Sequence, residues 1–201
     1  MGGDLVTATA ARMQPQRSKS SDERLVRDCL NGDQHAWAAL IDKYKNLIYS
    51  IPIKLGIYQD AADIFQAVCL DLLSELPRLR EPRALPKWLM QTCYHKCLRH
   101  LRSADRRLDL ADEHFESRAA EAGSELPEEM LSQLEREQKL REVMAKLPDR
   151  CRRMIQMLFF ETPARPYQEV AHELGLATGS IGFIRSRCLT RLRKELEKAG
   201  F

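Results

Sequence analysis

Aromatic residues and glycine are both scarce in this chain, at 6% and 9 residues respectively out of 201. That leaves little material for the strands and tight turns of a β-sandwich or barrel, and the expected fold class is all-α. Long apolar runs are missing too. The stretch from Leu47 to Ile53 is broken by Ser50 and Pro52, and that from Met154 to Phe160 by Gln156; both fall far short of the ~18–20 residues a bilayer span requires. The N-terminus has no apolar core of signal-peptide length, and Val6 stands where a myristoylation signal would place Ser or Thr. The expectation is a cytoplasmic protein with no membrane span. The sequence shows no Ser/His/Asp order, Gly-rich phosphate loop or paired-carboxylate pocket, so neither catalysis nor a cofactor is expected.

Cysteine is present in an even number: Cys29, Cys69, Cys93, Cys97, Cys151 and Cys188. Without an export signal, and with most of them inside apolar helical patterns, they are expected to be reduced core thiols. Cys93, Cys97 and His100 fall on one helical face, but a zinc site needs a fourth ligand and none is evident. The register also fits an inward face shared with Trp88, so no metal is expected. His35, His114 and His172 have no spaced partners and read as solvated.

The net charge of +3 conceals a strong pattern. It is +2 over residues 1–21, +3 over 22–107, −7 over 108–139 and +5 over 140–201. Two basic blocks flank an acidic connector, as a two-site polyanion binder joined by a tether would require; two solvated helical faces and an acidic loop would give the same sums. The connector is polar, carries Gly123 and Pro127, and has no sustained apolar period before about Met130. It reads as a flexible linker. About 20 such residues reach roughly 65–70 Å at full stretch, more than one ~34 Å turn of duplex DNA. The division expected is a disordered tail over 1–21, a helical domain over 22–107, a linker over 108–127 and a second helical domain over 128–201.

Helical patterns alternate with stop signals along both blocks. Residues 22–30 end at Asn31-Gly32, and Asp33 caps the next segment, where Trp37, Leu40, Ile41, Tyr44 and Ile48 recur at helical spacing. Pro52 is expected to end or kink that helix. Asp60, with Asp63 three residues on, forms a weak capping box before AADIFQAVCLDLLSEL, where Ile64, Val68 and Leu72 share a face. PRLREPRALP reads as a loop, and a helix resumes from about Leu85 to Arg107. The second block reads as a helix halted by Pro148, then DRCRRMIQMLFF, the turn ETPARP, YQEVAHEL, Gly175-Leu176, and a long helix from about Thr178 to Ala199.

Residues 167–184 carry a helix-turn-helix pattern. Ala171 is small where two helices cross, and Gly175 takes the positive φ that ends the first. Val170, Leu174, Leu176, Ile181 and Ile184 fill the shared core. A seam of Ile181, Ile184, Cys188, Leu192 and Leu196 leaves Arg185, Arg187, Arg191, Arg193 and Lys194 on other faces, available to phosphates and base edges.

The order of these pieces resembles bacterial RNA polymerase sigma factors of the extracytoplasmic-function (ECF) group, from about Leu25 to Leu196. DAADIFQAVCLDLL is similar to that family's acidic-aromatic helix, with Asp63, Phe65, Gln66 and Val68 matching. LPKWLMQTCYHKCLRHLR is similar to its Trp-Leu helix through Trp88 and Leu89. LPDRCRRMIQMLFFE and YQEVAHELGLATGSIGFIRSRCLTRLRKEL resemble its C-terminal region. The resemblance implies a four-helix region 2 joined by the linker to a four-helix region 4 ending in the helix-turn-helix. It further implies core RNA polymerase, promoter DNA and an anti-sigma factor as partners, and a chain that is monomeric off the polymerase.

By the same resemblance, Asp63, Phe65, Gln66 and Asp71 would dock on the polymerase. Lys87, His95, Arg99, Arg102, Arg106 and Arg107 would lie along the −10 element, with the loop Arg78 to Pro86 accepting an extruded base. The −35 element would be read by Thr178, Ser180, Arg185, Ser186, Arg187 and Arg191. Gly182, Phe183 and Ile184 replace the family's frequent Lys-Ser-Arg, and His95 and Arg99 replace its usual Asn and Asp. The linker would also thread the positively lined template and RNA-exit path. Two other readings are a stand-alone helix-turn-helix regulator with an N-terminal dimerisation or sensing module, and a helical adaptor whose basic faces bind a protein. Neither needs both DIFQAVCL and the basic Trp88 helix.

Overall fold

The structure, a computed structural model, describes residues 22–109 and 125–201, the side chains of 105–109 excepted. The expected tail over 1–21 and most of the expected linker lie outside the described residues. Among the described residues there are eight α-helices and no strand: α1 (Asp22–Leu30), α2 (Gln34–Lys54), α3 (Ala61–Glu75), α4 (Leu85–Asp109), α5 (Glu128–Lys146), α6 (Asp149–Phe159), α7 (Tyr167–Leu174) and α8 (Ile181–Lys198). The loop expected between α3 and α4 contains two 3₁₀ turns, Leu76–Arg78 and Pro82–Ala84.

Helix α2 is the centre of the first body, packed against α1, α3 and α4. Its Leu40, Tyr44, Leu47, Ile48 and Ile51 are all but inaccessible to water, together with Ile64, Val68 and Leu72 of α3 and Leu85, Leu89 and Met90 of α4. Burial of each such aliphatic side chain stabilises the fold by about 1.5–3 kcal/mol, so this cluster dominates the energetics here. Gly32 takes φ 84° at the end of α1, and the Asp33 carboxylate accepts from the His35 amide at 2.8 Å to cap α2.

Three local expectations are corrected. Of the two outcomes expected at Pro52, ending the helix is the one overturned: α2 runs on to Lys54, two residues further, with Pro52 buried inside it. A proline at this position has no amide to offer the carbonyl four residues back, and the Cys93 thiol of α4 donates to that Ile48 oxygen instead, at 3.4 Å. Asp60 makes no side-chain cap on α3; its carboxylate pairs with the His100 ring on α4 at 3.2 Å. Not all the cysteines are thiols. Cys29, Cys69, Cys93 and Cys97 are free, but Cys151 and Cys188 form a disulfide joining α6 to α8 across a Cα–Cα distance of 5.3 Å, within the span a disulfide bridges.

The second body is built from two small clusters. Met154, Met157, Val170, Ala171 and Ile181 join α6, α7 and α8, while Met144, Leu147, Ile155 and Cys188 join the end of α5 to α6 and α8. Helix α5 also reaches the first body. Leu126 and Leu134 are buried in the α2-centred core, with Met130 and Leu131 packed beside them. Its polar side completes the contact: Lys43 of α2, only 10% exposed, pairs with Asp22 at 2.8 Å and with Glu142 of α5 at 3.3 Å, and Lys54 pairs with Glu137 at 2.7 Å.

Candidate functional site

Two surfaces carry the residues singled out by sequence. On the first body, α3 turns Ile64, Val68 and Leu72 inward, which fixes what faces out. Asp63 and Gln66 are exposed there. Phe65 is half-buried, its ring stacked on Tyr49 of α2 with centroids 4.6 Å apart. Asp71 pairs with Lys96 of α4 at 2.7 Å, tying α3 to α4, while its side chain stays 43% exposed. Leu70 and Leu73 were missed: they are 67% and 58% exposed and continue the stripe of Asp63 and Gln66 at helical spacing. The signal was legible in AADIFQAVCLDLL, because both leucines fall off the Ile64/Val68/Leu72 face.

Helix α4 presents its basic residues unequally. Lys87 and Arg99 are exposed, while His95 and Arg102 are half-buried. The His95 ring nitrogen lies 2.9 Å from the Gln91 amide, and the Gln91 oxygen accepts the Leu126 amide at 3.1 Å. The chain leading into α5 therefore rests on α4 one turn from His95. The side chains of Arg106 and Arg107 lie outside the described residues. Cys93 and Cys97 are wholly buried. The neighbouring Cys97 thiol and then burial push the Cys93 thiol far above its usual range, so it stays protonated. His100 is turned to Asp60 instead of joining the two cysteines.

On the second body the helix-turn-helix forms as its spacing requires. Gly175 takes φ 63° and ψ 40° as the cap of α7, and Val170, Ala171 and Ile181 are buried between α7 and α8. The turn before α7 is pinned by ions: Arg165 pairs with Glu161 and Glu173, and Arg153 of α6 reaches Glu173 at 3.0 Å. Arg153, and then Arg165, hold the Glu173 carboxyl below the usual carboxylate range, so it is charged at neutral pH.

The expected base-reading set is scattered around α8. Thr178, Ser186, Arg187 and Arg191 are exposed. Ser180 spends its hydroxyl on the Ala177 carbonyl at 2.7 Å. Arg185 is half-buried and turned to α7, where its guanidinium hydrogen-bonds the Tyr167 hydroxyl and lies 5.8 Å from that ring's centre. Phe183 is 68% exposed, with the Arg187 guanidinium 5.7 Å from its ring centre. Among the described residues no helix is long and apolar enough to cross a membrane, and no group of three or more His, Cys, Asp or Glu is placed to hold a metal.

A helical body with a basic α4, followed by a helix-turn-helix whose second helix is rich in arginine, defines a class of multi-part nucleic-acid-binding proteins. Residues 40–107 match the model of sigma-70 region 2, and residues 143–194 that of sigma-70, region 4. The chain is similar to a probable RNA polymerase sigma factor, RfaY, of Xanthomonas campestris pv. campestris, at 30% identity over 170 residues, 82% of this chain and 41% of the relative. It is also similar to the ECF RNA polymerase sigma factor SigD of Mycobacterium tuberculosis and of Mycobacterium bovis, at 25% identity over 185 residues, 89% of this chain and 85% of each relative. It spans about two fifths of the length of the Xanthomonas relative. The chain belongs to the sigma-70 family of RNA polymerase sigma factors, and within it to the ECF type. A stand-alone regulator has no use for region 2, and that alternative is not favoured.

Proposed function

We propose that this chain is the subunit core RNA polymerase takes up, in the cytoplasm, to find and open promoters, and that it catalyses nothing itself. Residues 22–107 engage the polymerase and the −10 element, residues 128–201 engage the −35 element, and residues 108–127 link the two. The exposed stripe of Asp63, Gln66, Leu70 and Leu73 on α3 mixes charge, amide and aliphatic surface, as a protein-binding patch does. Phe65 and Asp71 fix α3 in place behind it. Lys87, His95, Arg99, Arg102, Arg106 and Arg107 would neutralise phosphates along α4, and Thr178, Ser180, Arg185, Ser186, Arg187 and Arg191 would meet the −35 duplex. Strand opening needs no reactive side chain, because phosphate contacts and the capture of an unstacked base by the loop Arg78 to Pro86 supply the free energy. An anti-sigma factor that holds the chain off the polymerase belongs to the same proposal.

The observation that carries this reading is the presence of regions 2 and 4 in one chain in family order. Its test is promoter-specific run-off transcription with purified core polymerase. Asp63→Arg is expected to weaken holoenzyme assembly by about tenfold, the size of a single interface contact worth about 1.4 kcal/mol, without changing the circular-dichroism spectrum. Arg185→Ala is expected to leave assembly intact and to weaken promoter binding about tenfold, the low end for one lost DNA contact. Tight sequence-specific binding by the free chain, unchanged by Asp63→Arg and indifferent to polymerase, would replace this reading with that of a regulator.

A further inference from the structure

We propose that Phe183 is a specificity-determining residue that reads the C5-methyl group of a thymine in the major groove. The inference rests on α8 being the helix that enters the groove. Ile181, Ile184, Cys188 and Leu192 turn toward the core. At 100° per residue, the opposite side of α8 then carries Gly182, Phe183, Ser186 and Thr190 over its first three turns, with Gly179 just before it and Arg193, Lys194 and Glu197 further along. All of these are exposed. Over those first three turns the centre of the outward face is therefore uncharged; Arg187 stands at its margin over the Phe183 ring, and Arg185 is drawn aside onto Tyr167. Margins meet phosphates, and the centre meets base edges.

An aromatic ring at that centre has narrow chemistry. It offers no hydrogen bond to the N7, O6, N6, N4 or O4 groups of the groove floor, so pressing it against them would desolvate polar atoms without compensation. The thymine methyl is the one apolar group there, and burying it against a ring is favourable. Two further observations suit a close approach. A Cβ added at Gly179 or Gly182 would meet nothing within 4 Å, and neither takes a positive φ, so nothing inside the protein requires glycine at either position. Glycine in the first turn of α8 weakens the helix relative to alanine but leaves the ring room to reach the base.

The test uses holoenzyme assembled from the full chain and core polymerase. Duplexes with a randomised upstream element are selected for binding, and the winner is resynthesised with deoxyuridine in place of each thymidine in turn, which removes the methyl alone. The wild type is expected to lose about fourfold in affinity at one position, equivalent to about 0.8 kcal/mol for a buried methyl-sized group. Phe183→Ala should bind the two duplexes equally, and Phe183→Leu, still apolar, should retain a preference for thymine. Equal discrimination by wild type and Phe183→Ala, or a wild type indifferent to every upstream methyl, overturns the proposal. A holoenzyme that selects no upstream sequence at all overturns the assignment of α8 to the groove, and this inference with it.

Discussion

The two helical bodies are held by different means. The first wraps α1, α3 and α4 around α2, whose Leu40, Leu47, Ile48 and Ile51 lie in one continuous core. The second has two small clusters, a left-handed glycine, a ring of ion pairs around Glu173 and a disulfide. A short unit of three helices and the end of a fourth, which keeps one helix largely exposed for recognition, cannot bury enough apolar surface to match the first body, and a cross-link and ion pairs supplement what the clusters lack. Between them, α5 belongs to both, its start in the first core and its end in the second.

The sharpest way to break this contrast is reduction. Cys151 and Cys188 are 37 residues apart, and opening a loop of that length is expected to cost the second body about 4 kcal/mol on the chain-entropy argument. Urea unfolding with and without dithiothreitol, followed by hydrogen exchange in α8 against α2, should show the loss confined to the second body. Next in size is Leu47→Ala, which leaves a cavity where the side chain is completely buried. It is expected to destabilise the first body by about 3 kcal/mol, read as a lower urea midpoint, while exchange in α7 is unchanged.

The smallest effect separates the bodies by pH. Burial first, then the nearby Asp33 and Asp28 charges, push the Cys29 thiol from an ordinary 9.0 to about 11. Burial and then the Asp22 carboxylate raise the Tyr44 phenol. Both groups hold their protons longer folded than unfolded. Their contribution is thus fully present below the unfolded values and is lost as pH rises through the folded ones, from about 9 upward. The cysteines of the second body are joined and do not titrate. At the acid end the order reverses: Glu173 and Glu195 have depressed values through Arg153 and Lys198, so their contribution is lost as pH falls through the folded values, below 4.5. Melting followed from pH 3 to 11 should show the first body yielding first to alkali and the second to acid.

Much of this was legible without coordinates. The 3.6-residue period of Ile64, Val68 and Leu72, the Ala171/Gly175/Ile181 spacing and the Asp33 cap are local rules, and each appears as expected. What was misread involves partners distant in sequence. The Ile48 carbonyl that Pro52 leaves without an amide is taken up by a thiol 41 positions on from the proline, and Asp60 forgoes its cap for a histidine on another helix.

Periodicity and chain order, acting through helix geometry and the burial of apolar faces, were enough to determine from the sequence alone an all-helical chain with a helix-turn-helix. Only the tertiary structure decided which residues within that frame remain free to touch another molecule: Phe183, Leu70 and Leu73 exposed, Arg185 drawn onto Tyr167, and Cys151 joined to Cys188. The reason is physical, since exposure and pairing depend on which helices cross, and the residues concerned lie too far apart along the chain for any local pattern to relate them.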